Sequence, residues 1–217
     1  MAGSIRGWPG DGLAHSRTVV LAGRPRSHAR LGAGKSAHPQ RKMNDSITLR
    51  RVSPNDVHAC IDGLTDVLLD CVEGGASISF MWPLARDKAL AFWQKVAAGV
   101  VQGERALLVA EDGDGRIVGT AQLILAQPDN QPHRADVAKV LVHSSARRQG
   151  LATRLMQAID DTARAEGKSV LVLDTVTGSD GDGLYAAIGW TRVGVVPRYA
   201  LMPDGAICDA TIFYKHV

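Results

Sequence analysis

The sequence predicts a mixed α/β (α+β) domain, with one central sheet of about seven strands and about four helices. Three observations carry that prediction. Residues 137–142 are almost wholly apolar, as expected of a strand covered on both faces. A polar turn through Gly150 follows, after which Leu151, Leu155, Ala158, Ile159 and Thr162 recur at helical spacing. Gly167 ends that helix, and residues 170–173 form a second apolar run, so strand, helix and strand have the length of a parallel crossover.

The remaining elements flank this unit. Residues 47–52 alternate as a first strand. Ser53 and Pro54 read as an N-cap followed by Pro at the first helical position, starting a helix that reaches about Cys71. Gly74 and Gly75 then make a loop. Pro83 starts a second helix that carries Leu84, Ala91, Trp93 and Val96 and runs to Gly99 or beyond. Residues 106–110 and 117–125 form a hairpin around Asp112-Gly-Asp-Gly115. Asp112 and Asp114 supply too few oxygens for an EF-hand loop, so that segment is a turn. A helix bearing Leu184 and Tyr185, poorly started by Gly181 and Gly183 and so expected to be short or mobile, and two strands, at about 191–200 and 206–215, complete the chain, and no internal repeat is found.

Composition narrows the function classes. At 217 residues the chain is one domain with a tail, and with aromatics at only 5% the core must rest on Val, Leu, Ile and Ala. No apolar run approaches the ~20 residues of a bilayer span, so no membrane partner is expected. Cys60, Cys71 and Cys208 form no Cys-x-x-Cys pair and are odd in number. They read as thiols in a reducing, cytoplasmic compartment, with neither a disulfide frame nor a metal site. The net charge of +3 is uneven: residues 1–42 hold eight Lys/Arg and one acid, whereas residues 43–217 hold 17 basic and 21 acidic residues. The folded part is mildly acidic, and nucleic acid is not an expected partner.

Residues 1–42 are rich in Gly, Arg, Ser and His and lack an apolar period, so they read as a disordered basic extension, with 43–217 as the domain. An extension upstream of a natural start at Met43 is the favoured reading. An artefact and an Arg-rich transit peptide are the alternatives, the last opposed by the Gly and Pro content. Gly32-Ala-Gly-Lys-Ser36 copies the end of a P-loop, but position 29 is Ala and no hydrophobic strand precedes it.

The turn after the central strand carries the chemistry. Arg147-x-x-Gly150-x-Ala152 opens a helix, whose first N–H groups and positive dipole end favour an anion such as a pyrophosphate. Arg147 and Arg148 are expected to approach it, while Gln149, Gly150, Leu151, Ala152 and Thr153 offer main-chain N–H groups. Cations sit badly at a helix N-terminus unless an anion is bound there.

With Arg147, Gly150 and Ala152 in this place, and with Leu184-Tyr185-Ala-Ala-Ile-Gly189-Trp190 after the next strand, residues 46–217 resemble the GNAT superfamily of acyl-CoA-dependent N-acetyltransferases. Residues 74–81, 134–139, 173–175 and 185–194 look closest to its tabtoxin-resistance branch, which acetylates the amine of a small amino-acid-like β-lactam. The resemblance implies a GNAT fold, with the fourth and fifth strands splayed around acetyl-CoA and direct transfer through a ternary complex. It implies catalytic roles for Asp136, Asp174 and Tyr185, with Leu141, Val142 and Tyr185 also against the cofactor. It places Ser77, Phe80 and Trp82, next to Met81, in the loop that lines the acceptor pocket, together with Asp136 and Asp174. The partner it implies is a small-molecule amine, with a homodimer left open.

Acetyl transfer needs a neutral amine, and an alkylamine titrates near ~10, so a base must take its proton. A bare Asp near ~3.9 is a feeble base unless burial or a water relay helps it. Tyr185 has the chemistry to give a proton or hydrogen bond to the departing thiolate. On the residues alone, Asp136 is equally a solvated acid paired with Arg134, Asp174 a strand-end cap, and Tyr185 a helix tyrosine half-buried against the sheet. Lys139 reads as a surface charge, with a phosphate contact as the alternative, and His143 as a solvent-facing residue near the cofactor. The expected function is acetylation of a small toxin or antibiotic amine. A protein or peptide N-acetyltransferase and a catalytically silent acyl-CoA-binding module are the alternatives.

Overall fold

The structure, a computed structural model, describes residues 47–217; the basic extension, its P-loop-like segment and the proposed start at Met43 lie outside the described residues. The strands are β1 (Thr48–Arg51), β2 (Arg105–Glu111), β3 (Ile117–Ile124), β4 (Arg134–Val142), β5 (Val170–Val176), β6 (Thr191–Leu201) and β7 (Ile207–His216). They form one seven-stranded sheet in the order β1-β2-β3-β4-β5-β7-β6. Every neighbouring pair is antiparallel except β4 and β5, which are parallel and joined through a helix.

Four α-helices cover the two faces among the described residues: α1 (Ile61–Glu73), α2 (Arg86–Val101), α3 (Leu151–Ala165) and α4 (Asp180–Ala187). Strand alternation sorts the side chains between two cores. Ala106, Leu108, Val137, Val140 and Leu173 meet Leu155, Met156 and Ile159 of α3 and Tyr185 of α4. Leu107, Val109 and Leu141 meet Leu64, Val67 and Leu68 of α1 and Trp93 and Val96 of α2.

Three local expectations needed correction. Pro54 does not open an α-helix. Ser53 Oγ accepts the Asp56 N–H at 3.3 Å and donates to the Asp56 carboxylate at 2.7 Å, which closes a turn. A single 3-10 turn, Val57–Cys60, follows before α1 begins. The second helix starts three residues after Pro83, with Ala85 as its N-cap; Leu84 lies before it and Ala91 is exposed, while Ala89, Trp93, Val96, Ala97 and Val100 form its buried face. The two glycines at the start of α4 do not prevent the helix. Ser179 Oγ accepts the Asp182 N–H, and the Asp182 carboxylate accepts the Gly178 N–H at 2.8 Å, so the cap offsets the poor propensity.

The sheet opens in its middle. β4 and β5 pair only at Arg134↔Val170, Ala135↔Leu171 and Asp136↔Val172. β5 stays on β7 as far as Val176↔Ala210, and β4 stays on β3, so the two parallel strands part beyond Asp136. A β-bulge accompanies the opening. Ala138 opposes Gln122 and Leu141 opposes Thr120, leaving Lys139 and Val140 against the single residue Ala121. Lys139 takes φ 50°, the left-handed region that L-residues avoid.

Candidate active site

At one end of the gap lies the start of α3. Its N-cap, Gly150, has φ 71°, no side chain caps the helix, and no acid occupies its first turn. Arg148 is also left-handed, at φ 60°. The N–H groups of Leu151, Ala152 and Thr153 therefore have no helical acceptor and face a cavity of about 350 Å³, closed on its far side by Asp180 and Leu184 of α4. The chemistry of that donor set fits a diphosphate: main-chain N–H groups, a helix dipole and the exposed Arg148. Arg147 was expected beside the diphosphate too. It lines the cavity, but its Nε donates to the Val142 carbonyl at 3.0 Å and its guanidinium pairs with Asp70 at 3.1 Å. It clamps the end of β4 to α1. Gln149 is exposed and leans back on the Ser145 carbonyl at 3.4 Å.

α4 also carries Tyr185, which turns into the core within reach of the charge of Asp174 on β5. Its ring is fully buried, 5.9 Å from Trp190 and 5.8 Å from Phe213. Its hydroxyl has no hydrogen-bond partner among the described residues. Burial, and then the negative charge of Asp174, push the phenol well above its usual range. Asp174 itself is 1% exposed and projects from β5 just past the point where β4 leaves.

A second cavity is formed by the loop between α1 and α2 and the end of β6. It has about 390 Å³ and is lined by Ser77, Ser79, Phe80 and Met81 on one side and Tyr199, Ala200 and Leu201 on the other. Ser77 Oγ donates to the Leu201 carbonyl at 2.8 Å and ties the two walls together. Phe80 packs edge-on to Phe92 at 5.3 Å. Trp82, expected with them, is 60% exposed and does not line the cavity; its N–H is held by the Pro203 carbonyl at 3.0 Å.

Lys139 is the residue that sequence reasoning misplaced. It is 2% exposed, its ammonium donates to Ser79 Oγ at 3.2 Å, and it lies 5.6 Å from the centre of the Phe92 ring. The bulge breaks the alternation that would otherwise fix its side. Burial lowers this ammonium to about 8; Asp174 opposes that shift and Arg105 adds to it. Arg105, also lowered chiefly by burial, donates to Gln122 Oε1 at 3.0 Å. The one signal available in sequence was a lysine inside an otherwise apolar strand.

Asp136 is fully buried, but it is ion-paired with Arg134, and Gln127 Nε2 donates to its other oxygen at 3.3 Å. The solvated-acid reading fails on burial, though the Arg134 partner is the one it named. His143 binds Ser145 through Nδ1 at 2.8 Å and has Nε2 3.6 Å from Asp70. A further cavity, of about 670 Å³, lies between α1, the β2–β3 turn and residues 143–145. Its charges are met locally, Arg50 by Glu111, Arg116 by Asp112 and Asp66 by Arg86, so it offers no unmet group to a substrate. Among the described residues there is no cluster of ligating side chains for a metal, and no helix is long and apolar enough to cross a membrane.

Residues 66–190 match the model of the acetyltransferase (GNAT) family. An uncharacterized N-acetyltransferase of the hisH-hisA intergenic region of Azospirillum brasilense is 35% identical over 133 residues, 59% of this chain and 74% of that protein. Two solved structures share the fold. One is yncA of Salmonella typhimurium, solved with its cofactor acetyl-CoA, with TM-score 0.59 and 21% identity over 79% of this chain and 94% of that one. The other is a ribosomal-protein-alanine N-acetyltransferase of Brucella melitensis, with TM-score 0.62 and 22% identity over 78% and 99%.

Proposed function

Since the chain belongs to the acetyltransferase (GNAT) family and is an acyl-CoA-dependent N-acetyltransferase, we propose that its acceptor is the primary amine of a small molecule, in the manner of toxin or antibiotic detoxification. The tabtoxin-resistance branch is the finer affiliation we propose. The observation that carries the site assignment is an uncapped helix N-terminus facing a cavity walled by α4, the helix whose Tyr185 hydroxyl is buried without a partner among the described residues. The cavity of about 390 Å³ supports a small acceptor, being near the lower end of small-molecule sites, and its walls are tied by the Ser77–Leu201 bond.

The residues divide the reaction between them. Acetyl-CoA supplies the acetyl group and the thiolate that leaves. The turn at residues 148–153 holds its diphosphate through main-chain N–H groups, with Leu141 and Val142 offering β4 backbone along the opened edge. Of the two carboxylates, Asp174 receives the acceptor ammonium and draws off its proton, directly or through water. Asp136 has its charge met by Arg134, which suits it to bracing the start of β4 and hence the edge of the acceptor site. The neutral nitrogen then forms the N–C bond and the C–S bond breaks. Tyr185 is a weaker acid than usual, whereas a thiol titrates near ~8.5, so the phenol acts by giving the thiolate a hydrogen bond more than by complete transfer. The proton shed by the nitrogen finally neutralises the thiolate.

Thiol release from acetyl-CoA, measured across amino acids, aminoglycosides, polyamines and peptides, tests this reading. Turnover confined to small amines is expected. Turnover confined to peptides makes the enzyme a peptide acetyltransferase, and none with any amine makes it a silent acyl-CoA-binding module.

A further inference from the structure

We infer that Asp70 is a positioning residue for the diphosphate turn: its carboxylate, reaching out from α1, holds the segment before α3 in the shape that binds acetyl-CoA. This rests on the reading that residues 148–153 hold the diphosphate, and goes beyond it by placing part of the cofactor site's support on a helix outside that turn.

Hydrogen bonding is the first support. Asp70 Oδ2 accepts the Ser144 N–H at 2.8 Å, and Oδ1 accepts the Ser144 hydroxyl at 2.6 Å. Arg147 Nη2 donates to Oδ2 at 3.1 Å, and His143 Nε2 stands 3.6 Å from Oδ1. One carboxylate thus gathers three residues that lie between the end of β4 and the start of α3. Bonds to an ionised acceptor are the stronger kind. The next residue of α1 adds to the hold: the Cys71 thiol donates to the Val142 carbonyl at 3.6 Å, the same carbonyl that takes the Arg147 Nε–H at 3.0 Å.

Backbone shape is the second. After the single 3-10 turn Ser144–Ala146, Arg148 and Gly150 both take left-handed φ, at 60° and 71°. Such a φ is unfavourable for Arg148 and persists where the surroundings over-determine it. The N–H groups of Leu151, Ala152 and Thr153 follow directly and face the cavity. A shift in the turn therefore passes straight to the donors.

Charge placement is the third. Asp70 lies in the last turn of α1, where the helix dipole disfavours an acid, and Arg147 lies just before α3, where it disfavours a cation. Pairing offsets both. A Cβ on Gly74, the C-cap of α1, would fall 3.5 Å from Arg147 Nη1 and Nη2, so the guanidinium sits at the negative end of α1. No acid of the chain occupies the first turn of α3, which leaves its positive end to a bound anion.

The test turns on a sign. Asp70 is an anion beside a site for a polyanion, so on Coulomb grounds alone Asp70→Asn should tighten acetyl-CoA binding, and release of Arg147 toward the diphosphate should do the same. If Asp70 positions the turn, the variant instead binds acetyl-CoA roughly 10–100-fold more weakly in calorimetric titration, the scale of a lost hydrogen bond to a charged group. S-acetylpantetheine, which lacks the diphosphate, should bind both proteins alike by ligand-observed NMR, a result that general damage to the fold would not give. Arg147→Met should weaken acetyl-CoA binding too, and the two substitutions together should be no worse than the poorer single one. Equal or tighter acetyl-CoA binding by a folded Asp70→Asn, additive losses in the double variant, or an equal loss for S-acetylpantetheine overturns the proposal. Should Asp70→Asn not fold, Ser144→Ala decides: weaker binding of acetyl-CoA alone upholds the proposal, and an unchanged Kd refutes it. A wild-type protein that binds acetyl-CoA no better than S-acetylpantetheine overturns the diphosphate reading itself, and the proposal with it.

Discussion

Tyr185→Phe should make the protein more stable and the enzyme slower. The substitution removes one hydroxyl and keeps the ring, with its contacts to Trp190 and Phe213. That hydroxyl is buried and has no hydrogen-bond partner among the described residues, so deleting it relieves an unsatisfied polar group, a cost of roughly 1–3 kcal/mol. Urea denaturation of the unliganded protein should therefore show a higher midpoint with an unchanged slope. The difference should widen above pH 10. The unfolded tyrosine ionises near 10.0 while the folded one stays protonated, so wild-type stability falls there and the Phe variant has nothing to lose. Single-turnover acetyl transfer should drop by about 10²–10³-fold, the loss typical of one donor aimed at developing charge, while the Kd for acetyl-CoA changes little. A less stable variant would show that the hydroxyl has a partner in the folded enzyme. A variant with the full single-turnover rate would make Tyr185 a packing residue and leave the thiolate to water.

Four further outcomes can be checked. Lys139→Met should stabilise the protein at neutral pH by roughly 3 kcal/mol, because a shift from 10.5 to about 8 is worth 1.36 kcal/mol per unit. The sign follows from a depressed ammonium: wild-type stability rises with pH between about 8 and 10.5 as the unfolded chain holds the extra proton, so the gap to the variant closes over that window in denaturant titrations. Gly150→Val should weaken acetyl-CoA binding in calorimetry, since φ 71° strains any L-residue and a side chain would stand among the N–H groups of the turn. Gly181→Ala should lower both thermal midpoint and kcat, its Cβ falling 2.9 Å from Thr175 Oγ1 and 3.4 Å from the Tyr185 ring, whereas Gly183→Ala, with open space around it, should stabilise α4 by about 0.5–1 kcal/mol. Asp174→Asn should leave acetyl-CoA affinity intact and cut the rate most at neutral pH, with recovery in the pH–rate profile as the acceptor amine loses its proton unaided.

The parts of the fold written in local pattern were legible, and those set by distant partners were not. The apolar run at residues 137–142, the glycine-led turn and the amphipathic α3 needed only neighbouring residues to be recognised. So did the two terminal strands and the Asp112 turn, where Asp112 accepts the N–H groups of Asp114 and Arg116. Arg147 was placed at the diphosphate because the sequence beside it is an anion-binding turn; its actual partner, Asp70, is 77 residues away. Lys139 was given to the surface although its strand reads as covered on both faces, because a lysine is costly to bury. The extra residue that reverses it is visible only in the pairing of β4 with β3. Trp82 was counted with Phe80 because the resemblance puts their shared loop at the acceptor pocket, yet only Phe80 meets Phe92 of α2. α4 was doubted for its glycines, and its cap came from Ser179, a residue that the count of helix formers leaves out.

One backbone device accounts for much of what the site can do. An ordinary β4 would stay paired with β5 beyond Asp136, and hydrogen bonds between them would fill the space where substrates must meet. The bulge at Lys139 bends β4 and increases its local twist. That frees the main-chain groups of residues 137–142 on the β5 side. It also carries a cation to the α1–α2 side of the sheet, while α3 and Tyr185 occupy the other. Asp174, on the strand left behind, acts electrostatically on both Lys139 and Tyr185. The thioester and the acceptor can thus approach from opposite faces of one sheet and meet at a single carboxylate. On the mechanism we propose, the nitrogen's proton and the sulfur's developing charge are handled from two sides of the same gap, with the charge of Asp174 acting on Lys139 and Tyr185 alike.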